Sequence, residues 1–378
     1  MGIFFLVLFT FVIFVLTILT IITIFNFFTA PKLKTKYTYE FDQKLVSILI
    51  PARNEESNIA KALLSAINQT YKNIEIIVID DQSTDNTANI VQRIIQKFPN
   101  KKIKLYSGTP LPDGWNGKSW ACYNLAHYAD GDFLLFIDAD VVLNKYAISS
   151  SIDVMQRDDL DLLTVFPAQI TKTLGEKILV STFMDWLLAV FLPIRIANAL
   201  YIPSLSAACG QYMLFRKDTY HAIGGHACVG KNIVEEREIT QKLKKKQYKV
   251  HLYITDNLIF CRMYRNFKTA FNGFANTFYA GAKMTALTFY VFVIAVFLAY
   301  IMPLILVIKD SKFYIPILTI FIQTTFLSLM FKRSLIFNLI FHPVKIIVFL
   351  IVAINSHRRV VTNKIIWKDR QILQEVFS

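Results

Sequence analysis

Residues 1–31 contain no charged side chain, and neither do residues 285–308. Each stretch exceeds the ~20 apolar residues that span a bilayer core, so an entirely water-soluble chain is not expected. Cysteine is scarce, with four in 378 residues. Cys122, Cys209, Cys228 and Cys261 form no close pairs, which excludes a zinc scaffold or a disulfide framework and fits reduced thiols. The amino terminus lacks the basic start, short apolar core and small-residue cleavage site of a signal peptide. Gly2 is not followed by the Ser or Thr at position 6 that a myristoylation motif needs; that position is Leu6. Residues 1–30 are therefore expected to persist as a membrane anchor. No internal repeat or low-complexity tract is evident.

Acidic residues are also in deficit, 27 against 41 basic ones, for a net charge of +14. The densest basic run is Lys242, Lys244, Lys245, Lys246 and Lys249. It lacks the interleaved aromatics of a nucleic-acid platform, so no nucleic-acid partner is expected. Contact with the anionic headgroups of membrane lipids is the simpler expectation. Lys32, Lys34, Lys36 and Lys44 follow the anchor, and positive flanks stay on the cytoplasmic side. A further apolar run covers residues 313–331, and a third, 335–354, is interrupted by His342-Pro343 and Lys345. Three full crossings would put the basic tail (Arg358, Arg359, Lys364, Lys368, Arg370) outside, against the positive-inside tendency. Two crossings and a broken or re-entrant third segment return it to the cytoplasm. The expected layout is an anchor (1–30), a basic linker (31–44), a cytoplasmic domain (45–284), membrane segments (285–356) and a cytoplasmic tail (357–378). The chain would be multi-pass in the cell membrane.

Between the membrane parts, short β-rich runs alternate with amphipathic stretches. Residues 45–50, 74–80, 102–106 and 133–138 read as strands; 58–69 and 84–98 read as helices. This order predicts an α/β fold, a mixed and mainly parallel sheet flanked by helices, with ligands bound beyond the carboxyl ends of its strands. Acidic clusters fall at those ends. Asp80-Asp81-Gln82-Ser83-Thr84-Asp85 follows the second strand; its carboxylates can accept hydrogen bonds from a base or ribose, or Asp85 can cap the next helix. Asp138 and Asp140 end another strand. Two carboxylates so placed repel unless a cation lies between them. Mg²⁺ or Mn²⁺ shared with a diphosphate is the natural partner, since these hard ions prefer oxygen ligands. Glu235-Glu236 precedes a predicted helix, where negative charge is also favourable in itself.

The stretches VSILIPARNEESNI (46–59), VIDDQSTDNT (78–87), FIDADV (136–141), GQYMLFRKDTYHAIGGH (210–226) and VEEREITQKLKKKQYKV (234–250) occur in order over some 200 residues. Together they resemble family 2 glycosyltransferases of the GT-A type. PDGWNGKSWACYNLA (112–126), CRMYRNF (261–267) and WKDR (367–370) are similar to a bacterial branch that glycosylates carotenoid acids and related polyisoprenoids. The resemblance implies a UDP-sugar donor, with glucose the expected sugar, and an apolar, lipid-like acceptor. It implies that Pro51, Ala52, Glu55 and Asp81 contact the nucleotide and that Lys118 approaches the diphosphate. Alone, Gly117-Lys118-Ser119 lacks the spacing of a P-loop. Asp138 and Asp140 would form the metal motif, Asp140 the direct ligand. Gly210, Gln211, Gly225 and His226 would line the acceptor side, with Arg265 a further candidate there.

Two departures stand out. Gln82 occupies a position where the family usually has Gly. Glu236 falls where an Asp base is usual, so either Glu235 or Glu236 is the candidate base. The Q-x-x-R-W motif of processive synthases is absent, which implies transfer of single sugars. A carboxylic-acid acceptor, with a reference pKa of about 4–5, is already ionised at neutral pH. Glu236 is then expected to matter less than in enzymes that glycosylate hydroxyls. Transfer to another lipid (a hopanoid, diacylglycerol or polyprenyl phosphate) and a silent membrane scaffold are the alternatives.

Overall fold

The computed structural model describes residues 2–35, 44–230, 234–367 and 370–372. Lys36 of the basic linker, Lys368 of the tail and part of the WKDR stretch lie outside the described residues.

After α1 (Gly2–Thr29), strands and helices alternate: β1 (Val46–Ala52), α2 (Ile59–Ile67), β2 (Ile74–Asp80), α3 (Thr87–Lys97), β3 (Ile103–Ser107), α4 (Gly117–His127) and β4 (Phe133–Ile137). Their near-continuous Val/Ile/Leu/Phe content is that of strands covered on both faces. Next come β5 (Val141–Leu143), α5 (Ala147–Arg157), β6 (Leu162–Phe166) and β7 (Ala168–Gln169). An excursion follows: α6 (Leu174–Val180), a π-helical turn (Ser181–Trp186), α7 (Leu187–Phe191) and α8 (Ile194–Ala199). The chain returns through β8 (Tyr212–Arg216), α9 (Lys217–Ala222), α10 (Glu235–Lys245), β9 (Val250–Ile254) and β10 (Ile259–Cys261). The carboxy-terminal part is α11 (Phe267–Ala282), α12 (Ala286–Tyr300), α13 (Met302–Leu306), α14 (Tyr314–Met330), α15 (Leu335–Ile340), α16 (His342–Val361) and a hairpin of β11 (Ile365–Trp367) and β12 (Arg370–Ile372).

The central sheet has the order β3-β2-β1-β4-β8-β6-β9. All neighbours are parallel except at β8, which runs antiparallel to both β4 and β6. The expected mixed, mainly parallel sheet is therefore present, and the carboxyl ends of β1, β2 and β4 lie side by side. β5, β10 and β7 form a small second sheet that carries the chain away from Asp138 and Asp140.

Among the described residues, three helical stretches are long and apolar enough to cross a membrane: Phe5–Thr29, Ala286–Leu306 and Ser311–Met330. The third carboxy-terminal run is broken, as its sequence suggested. α15 ends at Ile340, and α16 restarts with Pro343 in its first turn, where proline's missing N–H costs no helical hydrogen bond.

α1 is built into the fold rather than hung from it. The Asn26 side chain donates to the carbonyls of Ala189 (2.9 Å) and Leu192 (2.7 Å) and accepts from the Ile194 amide (2.9 Å). Beyond the helix, the Leu33 amide donates to the Ile254 carbonyl at 2.9 Å, adding the exit segment to the edge of β9. A single apolar cluster joins α1 to α6, α7, α11, α12, α14 and α16.

The basic run on α10 is engaged with the protein itself, which removes much of the support for a lipid-facing role. Lys244 is buried, and its ammonium donates to the Ala197 carbonyl at 2.5 Å. Lys242 and Lys246 donate to the carbonyls of Cys228 and Ala222, and Lys249 pairs with Asp159.

Candidate active site

The loop after β1 and the loop after β2 are locked together. Arg53 donates to the Asp81 carbonyl at 2.6 Å, and the Asp81 amide donates to the Ala52 carbonyl at 2.7 Å. The Asn54 side chain accepts from the Thr84 amide at 2.8 Å. Asp85 caps α3, its carboxylate accepting from the Thr87 amide (2.9 Å) and hydroxyl (2.5 Å). Gln82 has φ +56°, the left-handed region that glycine enters most cheaply. The glycine usual in the resembling family thus has a physical reason, and Gln82 bears some backbone strain to keep the same turn. Gly108 packs against this turn: a Cβ there would lie 2.9 Å from Asp81 Cα. Asp81 is buried at the floor.

These loops, with the end of β4 and the segment 262–269, enclose a cleft of about 450 Å³. Pro51, Ala52, Glu55, Asp81, Lys118, Asp138 and Asp140 all line it. Sequence reasoning singled out all seven. Arg265 lines it too, donating to the Asn58 side chain at 2.6 Å and the Ser57 carbonyl at 3.2 Å. It lines the polar cleft and not the second cavity behind it. Arg262 is held by Glu176, a fully buried carboxylate 2.8 Å away.

Asn116 caps α4 by accepting from the Ser119 amide at 2.7 Å, which fixes the helix start that carries Lys118. The Lys118 ammonium reaches Asp138 at 2.7 Å and Glu235 at 3.6 Å. Burial works against its charge, but Asp138, Glu235 and Glu236 outweigh that and hold its pKa well above the usual lysine value. Glu236 stands on the far side. Gly210 lies between them: a Cβ there would be in van der Waals contact with both, 3.4 Å from Lys118 Nζ and 3.5 Å from Glu236 Oε2. Burial, then the neighbouring Glu235, pushes the Glu236 carboxyl up to about 8. Burial also raises Glu235, with Lys118 pulling the other way.

Asp138 and Asp140 fit a hard divalent cation. Burial, followed by the charges of Asp138 and Glu55, pushes the Asp140 carboxyl up to about 7, and its buried Oδ1 has no hydrogen-bond partner. A carboxylate in that position is stabilised by a positive ion. Among the described residues no group of three or more His, Cys, Asp or Glu side chains is arranged to hold a metal. A cation on this pair would complete its shell with oxygens from a ligand and water.

A second cavity, about 520 Å³, opens behind the first. The two share Lys118, Asp138, Gln211, Met263 and Tyr264. Gly210, Gln211, Glu235 and Glu236 line the new chamber, and Gln211 is held by Gln169 at 2.8 Å. Its far walls are apolar: Phe166, Met184 and Leu187, with Phe183 packed on Phe274 and Phe278 of α11. Sequence reasoning missed these walls. They come from three separated segments, and no single segment announces a cavity.

Gly225 and His226, expected on the acceptor side, line neither cavity. His226 is buried, bonded through Nδ1 to the Tyr220 hydroxyl (2.8 Å) and packed edge-on against Phe136. Burial, helped by the Lys118 charge, lowers its pKa to about 3. Gly225 has φ +51°, and a Cβ there would strike the Tyr220 ring. Both shape the turn behind the site.

Residues 47–224 match the sequence profile of glycosyl transferase family 2. The chain is 31% identical to the 4,4'-diaponeurosporenoate glycosyltransferase of Staphylococcus aureus (strain N315), over 69% of each chain. It is 28% identical to the protein of the same name from Staphylococcus haemolyticus (strain JCSC1435), over 89% of this chain and 92% of that one. Among solved structures, its fold is similar to that of mannosyltransferase PcManGT from Pyrobaculum calidifontis, in complex with GDP-Man and Mn²⁺. That match has a TM-score of 0.55 at 15% identity and covers 93% of this chain and 98% of that one.

Proposed function

Because the chain belongs to glycosyl transferase family 2, we propose that it moves one sugar, glucose, from a UDP-sugar to a carotenoid carboxylic acid such as 4,4'-diaponeurosporenoate, giving a glycosyl ester with inversion at the anomeric carbon. The observation that carries this reading is the meeting of a polar cleft and an apolar chamber at Lys118 and Asp138. The relatives' names supply the acceptor class.

In this reading the polar cleft holds the nucleotide. Asp81 receives the base or ribose edge, and Pro51, Ala52 and Glu55 form the wall. Lys118 faces the diphosphate and neutralises the charge that grows on it as the glycosidic bond breaks. Mg²⁺ or Mn²⁺ held by Asp138 and Asp140 would add Lewis-acid stabilisation of the same leaving group. Gly210 and Gln211 border the gap through which the acceptor's carboxylate meets the sugar, while its polyene chain lies in the apolar chamber against Met184, Leu187 and Phe278. Either Glu235 or Glu236 could take a proton from a hydroxyl acceptor. An ionised carboxylate has no proton to give up, and a Glu236 that stays protonated near neutral pH spares it electrostatic repulsion.

The chamber's helical walls belong to the same apolar cluster as the membrane-type helices α1, α12 and α14. This supports a lipid-like acceptor entering from the bilayer; transfer of single sugars rests on the absent Q-x-x-R-W motif. The cytoplasmic placement of the site rests on the basic residues that flank α1.

The test is product mass analysis of membranes containing the protein, supplied with labelled UDP-glucose and a C30 carotenoid acid. One hexose added as an ester supports the reading. A product only on hopanoid, diacylglycerol or polyprenyl phosphate would replace the acceptor, and no transfer to any lipid would reject it.

A further inference from the structure

Along the outer face of α16, the exposed side chains are Val344, Ile347, Ile351 and Ile354, spaced three and four residues apart. That is one helical stripe. The next position on the stripe is Arg358, which is also exposed. Only Val361 lies beyond it on the same face, so the apolar stripe is interrupted by arginine within the last turn of α16, the pattern of a lipid-facing helix that reaches the headgroups. On neighbouring α12, the Tyr290 hydroxyl bonds His357 Nδ1 at 3.1 Å, placing an amphipathic aromatic ring at the same level, as at membrane interfaces generally.

At this level a cavity of about 550 Å³ opens between α11 and α16. Every residue lining it is polar, and three are basic: Arg358, Arg359 and Lys364. Arg359 is aimed by neutral partners only. It donates to the Asn272 side chain (2.7 Å) and to the Asn276 side chain (2.8 Å). Asn363, with φ +50°, turns the chain at the end of α16, and the Lys364 amide donates back to the Arg359 carbonyl at 2.9 Å. That turn brings the third cation to the cavity. Among the described residues, no carboxylate forms an ion pair with any of the three cations. The bland explanation for two arginines here is that cations stabilise a helix carboxyl end. It does not account for Lys364, for the polar lining, or for a cavity at headgroup depth.

We propose that this cavity is a binding site for the phosphate of an anionic bilayer phospholipid, held by Arg358, Arg359 and Lys364. The Asn272 oxygen accepts from Arg359, which leaves its Nδ2 group to donate to the phosphate, and the acyl chains lie along the Val344–Ile354 stripe. The site is separate from the polar cleft and does not depend on which sugar or acceptor is used. Because Asn276 also lines the apolar chamber, a lipid seated here would sit beside the chamber wall formed by α11.

The test uses the full-length protein in detergent, titrated with phosphatidylglycerol or phosphatidylcholine and followed by thermal shift. The double variant Arg358→Gln/Lys364→Gln should bind phosphatidylglycerol about thirtyfold more weakly than wild type, at roughly fivefold per basic residue. Its melting temperature without added lipid should be unchanged. Lys97→Gln/Lys101→Gln, on an exposed edge of the sheet domain, should bind as wild type does. If the double variant melts early, Lys364→Gln alone, on an exposed turn, should still lose about fivefold. Equal binding of phosphatidylcholine, an equal loss in the Lys97/Lys101 control, or saturation of the site by inorganic phosphate at millimolar concentration would each overturn the proposal.

Discussion

The two cavities that meet at Lys118 are built by different means. The polar cleft is made of loops at adjacent strand ends, each supplied by one short stretch of sequence. The apolar chamber is made of helix faces far apart in the chain, those of the α6–α7 excursion and of α11. The first is lined mainly by charged and hydrogen-bonding groups and the second largely by apolar ones, and only Lys118, Asp138, Gln211, Met263 and Tyr264 belong to both. Reaction at such a boundary needs ligands of opposite polarity brought end to end, which is what a nucleotide sugar and a lipid acid supply.

The largest effect should come from the cleft. Asp140→Asn removes the buried oxygen that lacks a partner, and transfer of labelled sugar in membranes should fall by about 10³-fold. Binding of the apolar acceptor should be unchanged, and a comparable loss of acceptor binding would break the distinction between the cavities. Lys118→Met, at the boundary, should lower kcat by roughly 10²-fold. A smaller effect is expected from Met184→Trp, which fills the chamber. KM for the carotenoid acid should rise about tenfold, as for loss of one good apolar contact surface, while UDP binding measured by calorimetry stays unchanged.

The unequal legibility of the two cavities follows from this construction. IEIIVID and its acidic sequel placed β2 and Asp81 correctly because strand, turn and carboxylate are contiguous. The same holds for Asp138 and Asp140 after FLLFI. His226 looked functional beside a Gly-Gly pair, yet its partner, Tyr220, lies on the short α9, and the pairing turns the ring inward. That Arg265 lines the polar cleft was not legible, because nothing local shows that its segment folds over α2's start, where Ser57 and Asn58 hold it. The lysines of α10 read as a charged surface because their carbonyl partners, such as Ala197 and Cys228, come from other segments. The chamber walls were illegible for the same reason: Phe183 and Phe274 stack with ring centroids 4.4 Å apart across ninety residues of chain.

The smallest effect sharpens the boundary itself. With an ionised acid as acceptor, Glu236→Gln should cost only a few-fold in kcat, far less than Asp140→Asn; equal and near-total losses would remove the distinction. The same variant has a stability signature. The folded-state pKa of Glu236 is raised to about 8. Between the ordinary glutamate value near 4.3 and 8, the folded state holds the extra proton, so wild-type stability falls as pH rises through that window. Glu236→Gln removes this slope and should melt at a higher temperature than wild type at pH 9, with the advantage shrinking towards pH 5. A wild type that is the more stable of the two at pH 9 would contradict the placement of Glu236 in the crowded carboxylate group.

The most direct measurement is photocrosslinking of a long-chain polyene acid carrying a diazirine to the full-length protein, with the adducts mapped by mass spectrometry. Adducts on Met184, Phe274, Thr277 or Phe278, formed in the presence of UDP and competed by unlabelled acid, are the expected result. Adducts confined to the lipid-facing stripe of α16, or to the polar cleft around Asn58 and Arg265, would contradict an acceptor path through the apolar chamber.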